Sequence, residues 1–336
     1  MFTARRSERG SAGPRILVVR IGSMGDVIHA LPACATLKHS FPGSTLTWVV
    51  HPRWAQLLEG NPFIDDLIRL DRRKAGSVAD AWRALRHARY DFAVDFQGLI
   101  QSALVASFAR PDRIFGFHQS QVREKFAALF YSSRVRANGV HVVDRNLELA
   151  AAAGASTILL QFPVPDGIPE GDLPEGGFVL SNPQAGWGAK QWPMESYQAL
   201  ARRLRDELGL PLVLNGPPGS RTLLAGAPDA VVHISGLPGL IHATRRASAV
   251  LGCDSGPTHL AAALGKPGVA VFGPTDPARN GPYGGSFTVL RSPGAVTSHK
   301  RRAALDPSME TLSPDQVFDA LKARLRPQSK PAGSGL

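Results

Sequence analysis

"RILVVRIGSMGDVIHALPACATLKHSFPG", Arg15 to Gly43, decides the fold. An apolar β-branched run stops at "GSMGD", and a helix-period pattern follows. A strand that enters a helix through a glycine-bearing turn is half of a βα repeat. The repeat recurs. Strand patterns fall at 15–21, 45–51, 67–70, 92–95 and 113–117, with helical patterns near 27–39, 78–88, 100–108, 122–130 and 144–153. The strands are continuous apolar runs rather than alternating ones, as expected of parallel strands covered on both faces. The class is therefore α/β, with a doubly wound parallel sheet.

The segment "FPVPDGIPEGDLPEGG", 162–177, is dense in Pro, Gly and acids and reads as a linker. The alternation restarts after it. Strands are expected at 178–181, 212–215, 231–234, 250–253 and 269–272, and helices near 194–207, 240–246, 258–264 and 314–325. The expected organisation is a disordered basic tail (1–14), a first domain (15–165), a linker (166–177), a second domain (178–326) and a disordered tail (327–336). Ligands of such sheets bind at the carboxyl ends of strands, so two sheets face to face would form a cleft.

With 336 residues, 43% of them hydrophobic, the chain has material for two ordinary domains. Its net charge of +11 favours anionic partners, although an Arg-rich proteome would give the same balance. No nucleic-acid-binding module is visible. No apolar run is long enough to span a bilayer, and the N-terminus lacks the apolar region of a secretory signal. Arg5, Arg6 and Arg9 read as part of a solvated tail. Cys34 and Cys253, the only cysteines, sit in apolar patterns and read as buried free thiols in a reducing compartment.

Four motifs carry the chemistry. The opening loop fails the dinucleotide fingerprint: Gly22 and Gly25 are followed by Asp26, and no P-loop Lys-Ser/Thr appears. A carboxylate here would repel a pyrophosphate. Asp26 has two readings, a helix cap accepting amide protons from the next turn or a base aimed at another molecule. Pro32 predicts that the helix kinks or starts late.

The second motif is "VLGCDSGPTHLAAALGKPGVAVFGPTDP", Val250 to Pro277. Asp254, Ser255 and Gly256 make a turn into a helix whose first turn holds Pro257, Thr258 and His259. Its free amides and the positive end of its dipole suit a pyrophosphate. His259 alone would read as an ordinary helix histidine. In the third, "SNPQAGWGAKQWPMESY", Lys190 follows a strand of the second domain, within reach of the same phosphates or simply on the surface. The fourth is a set of cations, Arg69, Arg72, Arg73 and Lys74 in "RLDRRKAG" and Arg123 and Lys125 in "QVREKFAALFY". They form either a solvated face or a site for a phosphorylated or carboxylated ligand. No metal-ligand spacing and no G-x-S-x-G is present, so neither metal-dependent nor serine-nucleophile chemistry is supported.

The ordered set "RIGSMGDVIHALPA", "DFQGLIQSALVA", "REKFAALFY", "AGWGAKQWP" and "CDSGPTHLAAALGKPGVAVFGPTDP" resembles glycosyltransferase family 9, the ADP-heptose:lipopolysaccharide heptosyltransferases, and within it the type I enzymes. The match runs from about Arg15 to the helix at 314–325. The resemblance implies a GT-B fold, two Rossmann-like domains facing across a cleft, with the acceptor on the first and the nucleotide sugar on the second. It implies inverting transfer of heptose from ADP-heptose to the Kdo-containing inner core of lipopolysaccharide, with no obligatory metal or other cofactor. By this resemblance Asp26 is the general base. Lys190, Asp254, Ser255, Gly256, Thr258 and His259 bind the donor, and Gly25, Arg72, Arg73, Lys74, Gln97 and Arg123 bind an anionic glycolipid acceptor.

The implied location is the cytoplasm, peripheral at the inner face of the inner membrane, with no nucleic-acid partner. A family member using another nucleotide sugar, or a non-catalytic nucleotide-binding α/β protein, is the alternative. Where the type I enzymes carry acidic residues, this chain has "NGPPGSRTLL" with Ser220 and Arg221. The basic triplet Lys300–Arg302 has no role in this reading.

Overall fold

The computed structural model describes residues 13–298 and 302–326. Residues 1–12 of the expected basic tail (1–14), the expected tail 327–336, and residues 299–301 lie outside the described residues. The chain divides between Val164 and Pro165 into two compact units.

Strand β1 (Arg15–Val19) is buried at four successive positions, which marks an interior parallel strand. With β2 (Thr45–Val50), β3 (Asp66–Arg69), β4 (Phe92–Asp95), β5 (Arg113–Phe117) and β6 (Ser133–Val135) it forms one parallel sheet, in the order β3-β2-β1-β4-β5-β6. The connecting helices are α1 (Met24–Ser40), α2 (Pro52–Ala55), α3 (Ala75–His87), α4 (Ile100–Phe108) and α5 (Val142–Ala152). Leu17, Val19, Val49 and Ala93 pack with Leu85, Ala103 and Tyr131 in the core on one face.

The second unit repeats the plan. Strands β7 (Val179–Ser181), β8 (Leu212–Gly216), β9 (Val231–Ile234), β10 (Ala249–Cys253), β11 (Gly268–Phe272) and β12 (Phe287–Arg291) form a parallel sheet in the order β12-β11-β10-β7-β8-β9. Its helices are α6 (Met194–Leu208), α7 (Arg221–Leu224), α8 (Leu237–Arg246), α9 (Gly256–Ala263), α10 (Pro277–Asn280), α11 (Pro307–Glu310) and α12 (Pro314–Leu325). Leu212, Leu251, Val269 and Val271 pack against Tyr197, Leu204 and Phe318. Each sheet therefore has a point where chain order reverses, between β1 and β4 in the first unit and between β7 and β10 in the second.

The structure departs from the sequence reading in several places, among them the short helices α2, α7, α10 and α11, which were not expected. The edge strands β6 and β12 were not expected. Both are partly exposed, so they lack the continuous apolar signature of the buried strands. The helix expected over 122–130 is a short 3₁₀ segment, Lys125–Phe130. Its flanks are pinned by the Glu124 carboxylate on the Ile100 N–H (2.7 Å) and by Tyr131 Oη on Asp95 (2.7 Å). Helix α1 does not start late; it begins at Met24 and runs through Pro32. Asn146 of α5 donates to the carbonyl of His29 (3.0 Å), next to the carbonyl of Ile28 that Pro32 cannot serve.

The Pro-Gly-rich segment has no regular structure, but it is held to the second unit. Ile168 N–H donates to Pro238 O (3.1 Å), Gly236 N–H to Glu170 (2.5 Å), and Arg246 to Pro174 O (2.8 Å). Cys34 and Cys253 are both buried free thiols.

Candidate functional site

In the first unit, Asp26 lies in the first turn of α1, beyond the carboxyl end of β1. Ser23 is the N-cap residue and Asp26 stands three positions later. Its Oδ2 accepts from the Ser23 N–H and from the Ser23 hydroxyl, both at 2.9 Å. Asp26 thus ties back to the preceding residues instead of accepting from the next turn. Its other oxygen pairs with the Arg20 guanidinium. Arg20 is buried, and a second guanidinium nitrogen donates to the carbonyl of Phe96 at the end of β4. Burial works to raise the Asp26 carboxyl; the Arg20 charge and the Ser23 hydrogen bonds outweigh it and hold the group below the ordinary carboxylate value. The Asp26 side chain nevertheless keeps 35% of its surface exposed.

Gln97 joins Asp26 at the β1/β4 switch point. Its Oε1 accepts from the Ile21 N–H (2.8 Å), so the side chain straps the ends of β1 and β4 together. Beneath it, fully buried Asp95 accepts from Gln97 N–H (2.8 Å), Ser102 Oγ (2.8 Å) and Tyr131 Oη (2.7 Å). Gly98 follows with φ of +69°, and a side chain there would also strike Val122. Gly25 is buried in the first turn of α1.

Arg72, Arg73 and Lys74 follow β3, and Arg123 follows β5, all at the same carboxyl edge of the sheet. Their side chains are exposed, and no ion pair with Asp26 joins them. The structure therefore gathers Asp26, Gly25 and Gln97 at the switch point and leaves the four cations along the sheet edge.

The second unit draws its residues closer. Lys190 follows β7 and Asp254 follows β10, again at the switch point. The Lys190 ammonium pairs with Asp254 Oδ2 and lies over the Trp187 ring, 3.8 Å from its centroid. His259 Nε2 stands 3.6 Å from Asp254 Oδ1. Burial opposes ionisation of Asp254, but the His259 hydrogen bond and the Lys190 charge prevail and bring its pKa to about 2. Asp254 is 7% exposed.

Ser255 caps α9, and Thr258 Oγ1 turns back to the carbonyl of Cys253 (2.5 Å). A Cβ on Gly252 would lie 2.0 Å from that hydroxyl, so only glycine lets β10 and the first turn of α9 come this close. The Gly256 and Thr258 amides lie in that first turn, where no intrahelical acceptor exists.

Arg20, Trp187 and Asp95 were not singled out in the sequence. A signal existed for Arg20, a lone cation at the end of a buried apolar run. Ser220, at the departure from the family pattern, is buried with its hydroxyl on Gln184 Oε1 (3.0 Å), while Arg221 is exposed. Among the described residues no three His, Cys, Asp or Glu side chains converge as a metal site, and no helix is long and apolar enough to cross a membrane.

The family model for glycosyltransferase family 9 (heptosyltransferase) matches residues 78–307. Lipopolysaccharide heptosyltransferase 1 of Pseudomonas aeruginosa is 30% identical over 306 residues, covering 83% of this chain and 84% of that protein. The E. coli heptosyltransferase WaaC solved with ADP is 26% identical, with a TM-score of 0.76 over 92% of this chain and 99% of that one. WaaC solved with ADP-2-deoxy-2-fluoro heptose gives 27% identity and a TM-score of 0.73. The chain belongs to glycosyltransferase family 9 and is a glycosyltransferase of GT-B fold, built on two Rossmann-like parallel-sheet units.

Proposed function

We propose that this protein transfers heptose, with inversion, from ADP-heptose to the Kdo-containing inner core of lipopolysaccharide, using a Kdo–lipid A acceptor. Residues 15–165 would bind the acceptor and residues 178–326 the nucleotide sugar. The observation that carries the reading is the cluster of Lys190, Asp254 and His259 at the first turn of α9. It is an anion site in a chain whose structural relatives were solved with ADP and an ADP-heptose analogue.

In this reading Asp26 accepts the proton of the attacking acceptor hydroxyl, a contribution worth roughly 10²–10⁴-fold. A carboxylate held ionised by Arg20 is a weak base, which suits a transition state of oxocarbenium character where the proton leaves late. The same negative charge stabilises the positive sugar ring. The departing diphosphate gains charge, met by the Lys190 ammonium and the first amides of α9. Arg72, Arg73, Lys74, Gln97, Gly25 and Arg123 would face the anionic acceptor, where guanidinium forks suit phosphate and carboxylate. The glycolipid acceptor places the enzyme in the cytoplasm, peripheral at the inner face of the inner membrane.

The test is direct incubation of the protein with ADP-heptose and Kdo–lipid A, read by mass spectrometry. One added heptose with release of ADP supports the proposal. Absence of product, with folding shown intact and ADP still stabilising the protein, overturns it.

A further inference from the structure

The 3₁₀ segment Lys125–Phe130 has its apolar residues reversed. Its small side chains, Ala127 and Ala128, are buried in the first unit's core, and its large ones face solvent. Phe126 and Leu129 are each 69% exposed and Phe130 is 37% exposed. With three residues per turn, Phe126 and Leu129 stack on one face. Exposing two large apolar side chains together works against folding, and such a patch marks a surface that something covers.

Cations flank the patch. Arg123 and Lys125 are exposed beside it, and Glu124 between them, itself exposed, has its carboxylate engaged by the Ile100 N–H at the start of α4. An apolar wedge beside two exposed cations, with the one intervening carboxylate engaged by a backbone N–H, matches the boundary between anionic headgroups and acyl chains. A soluble protein partner of ordinary polarity would not require that charge pattern. We infer that Arg123–Phe130 is the membrane-docking surface of this protein, with Phe126 and Leu129 entering the acyl boundary of an anionic bilayer and Arg123 and Lys125 against its headgroups. The inference deepens the peripheral-membrane reading above and rests on it.

The experiment is co-sedimentation of the full chain with vesicles of phosphatidylethanolamine and phosphatidylglycerol, and with vesicles of neutral phosphatidylcholine. The wild-type chain is expected to bind the anionic vesicles more tightly, with salt weakening the binding. Phe126→Ser/Leu129→Ser should weaken partition roughly tenfold or more, and Lys125→Gln by about fivefold. Ile158→Ser, equally exposed at 65% but outside this segment, should change nothing. The Ser/Ser variant should lose transfer to vesicle-embedded acceptor yet retain it on a deacylated, water-soluble one.

If the wild-type chain ignores both kinds of vesicle, the peripheral reading itself falls. If it binds and the Ser/Ser variant binds equally, this surface assignment alone falls. A concentration-dependent dimer, abolished by the Ser/Ser change and unaffected by vesicles, would replace the bilayer with a second copy of the chain and overturn the inference.

Discussion

Two turns of this molecule share one plan and diverge in one quantity. At the start of α1, Asp26 pairs with Arg20; at the start of α9, Asp254 pairs with Lys190. Each lies at the switch point of a parallel sheet, and each carboxylate is held ionised, Asp26 chiefly by the Arg20 charge and Asp254 by the His259 hydrogen bond together with the Lys190 charge. Asp26 keeps a third of its side-chain surface open, whereas Asp254 is almost fully enclosed and shared with His259. An open carboxylate can reach a substrate proton. An enclosed one can only hold its neighbours in place. In the proposed mechanism, a similar pair of charges would serve proton transfer in one unit and positioning of an ammonium in the other.

The largest expected effect breaks the first turn. Asp26→Ala should lower turnover by roughly 10²–10⁴-fold while ADP still raises the melting temperature. Near-normal turnover would remove Asp26 from its assigned role.

The second turn should respond in stability rather than in chemistry alone. Asp254→Asn leaves the buried Lys190 charge uncompensated, at a cost of about 3–5 kcal/mol in urea unfolding. The sign with pH follows from the depressed pKa. Stability from Asp254 is complete above its ordinary unfolded value near 4 and is lost as pH falls through about 2. The asparagine variant should lack that acid-side loss. A Lys190→Met/Asp254→Asn double variant should recover part of the stability while binding ADP more weakly. If Asp254→Asn is as stable as wild type, the pairing does not hold the site.

A smaller effect separates the two cations. Arg20→Gln should move the acid limb of the pH–rate profile upward, because the charge that keeps Asp26 ionised is gone. Arg20→Lys should keep the limb close to its original place. A limb that stays fixed in Arg20→Gln would show that another group sets it. The smallest effect is expected at the sheet edge. Arg72→Gln should raise the KM for acceptor several-fold, more at low than at high salt, and leave donor binding unchanged. Equal loss for donor and acceptor would refute an acceptor-side role.

The buried central strands were legible because they are unbroken apolar runs, and β4 and β5 match the expected limits at both ends, as does the edge strand β9. Of the edge strands, β3 and β9 keep adjacent apolar residues (Leu67 and Ile68, Val231 and Val232) and were expected, whereas β6 and β12 mix polar with apolar residues and were not. The Lys190–Asp254–His259 cluster needed two βα turns to meet, one carrying Lys190 and the other Asp254 and His259. Their residue types were visible, but their distances were not.

What the sequence by itself determined is the βα alternation, the two-unit organisation and the family, all of which depend on local period and ordered motifs. What the tertiary structure alone decided is which cation faces which carboxylate and how much water each carboxylate keeps. Those depend on where β1 meets β4 and β7 meets β10, pairings between residues 64 to 76 positions apart in the two ion-pair networks. Local patterning carries no information across such separations, so the Lys190–Asp254 pair and the anchoring of Arg20 on the Phe96 carbonyl emerged only once the sheets were assembled.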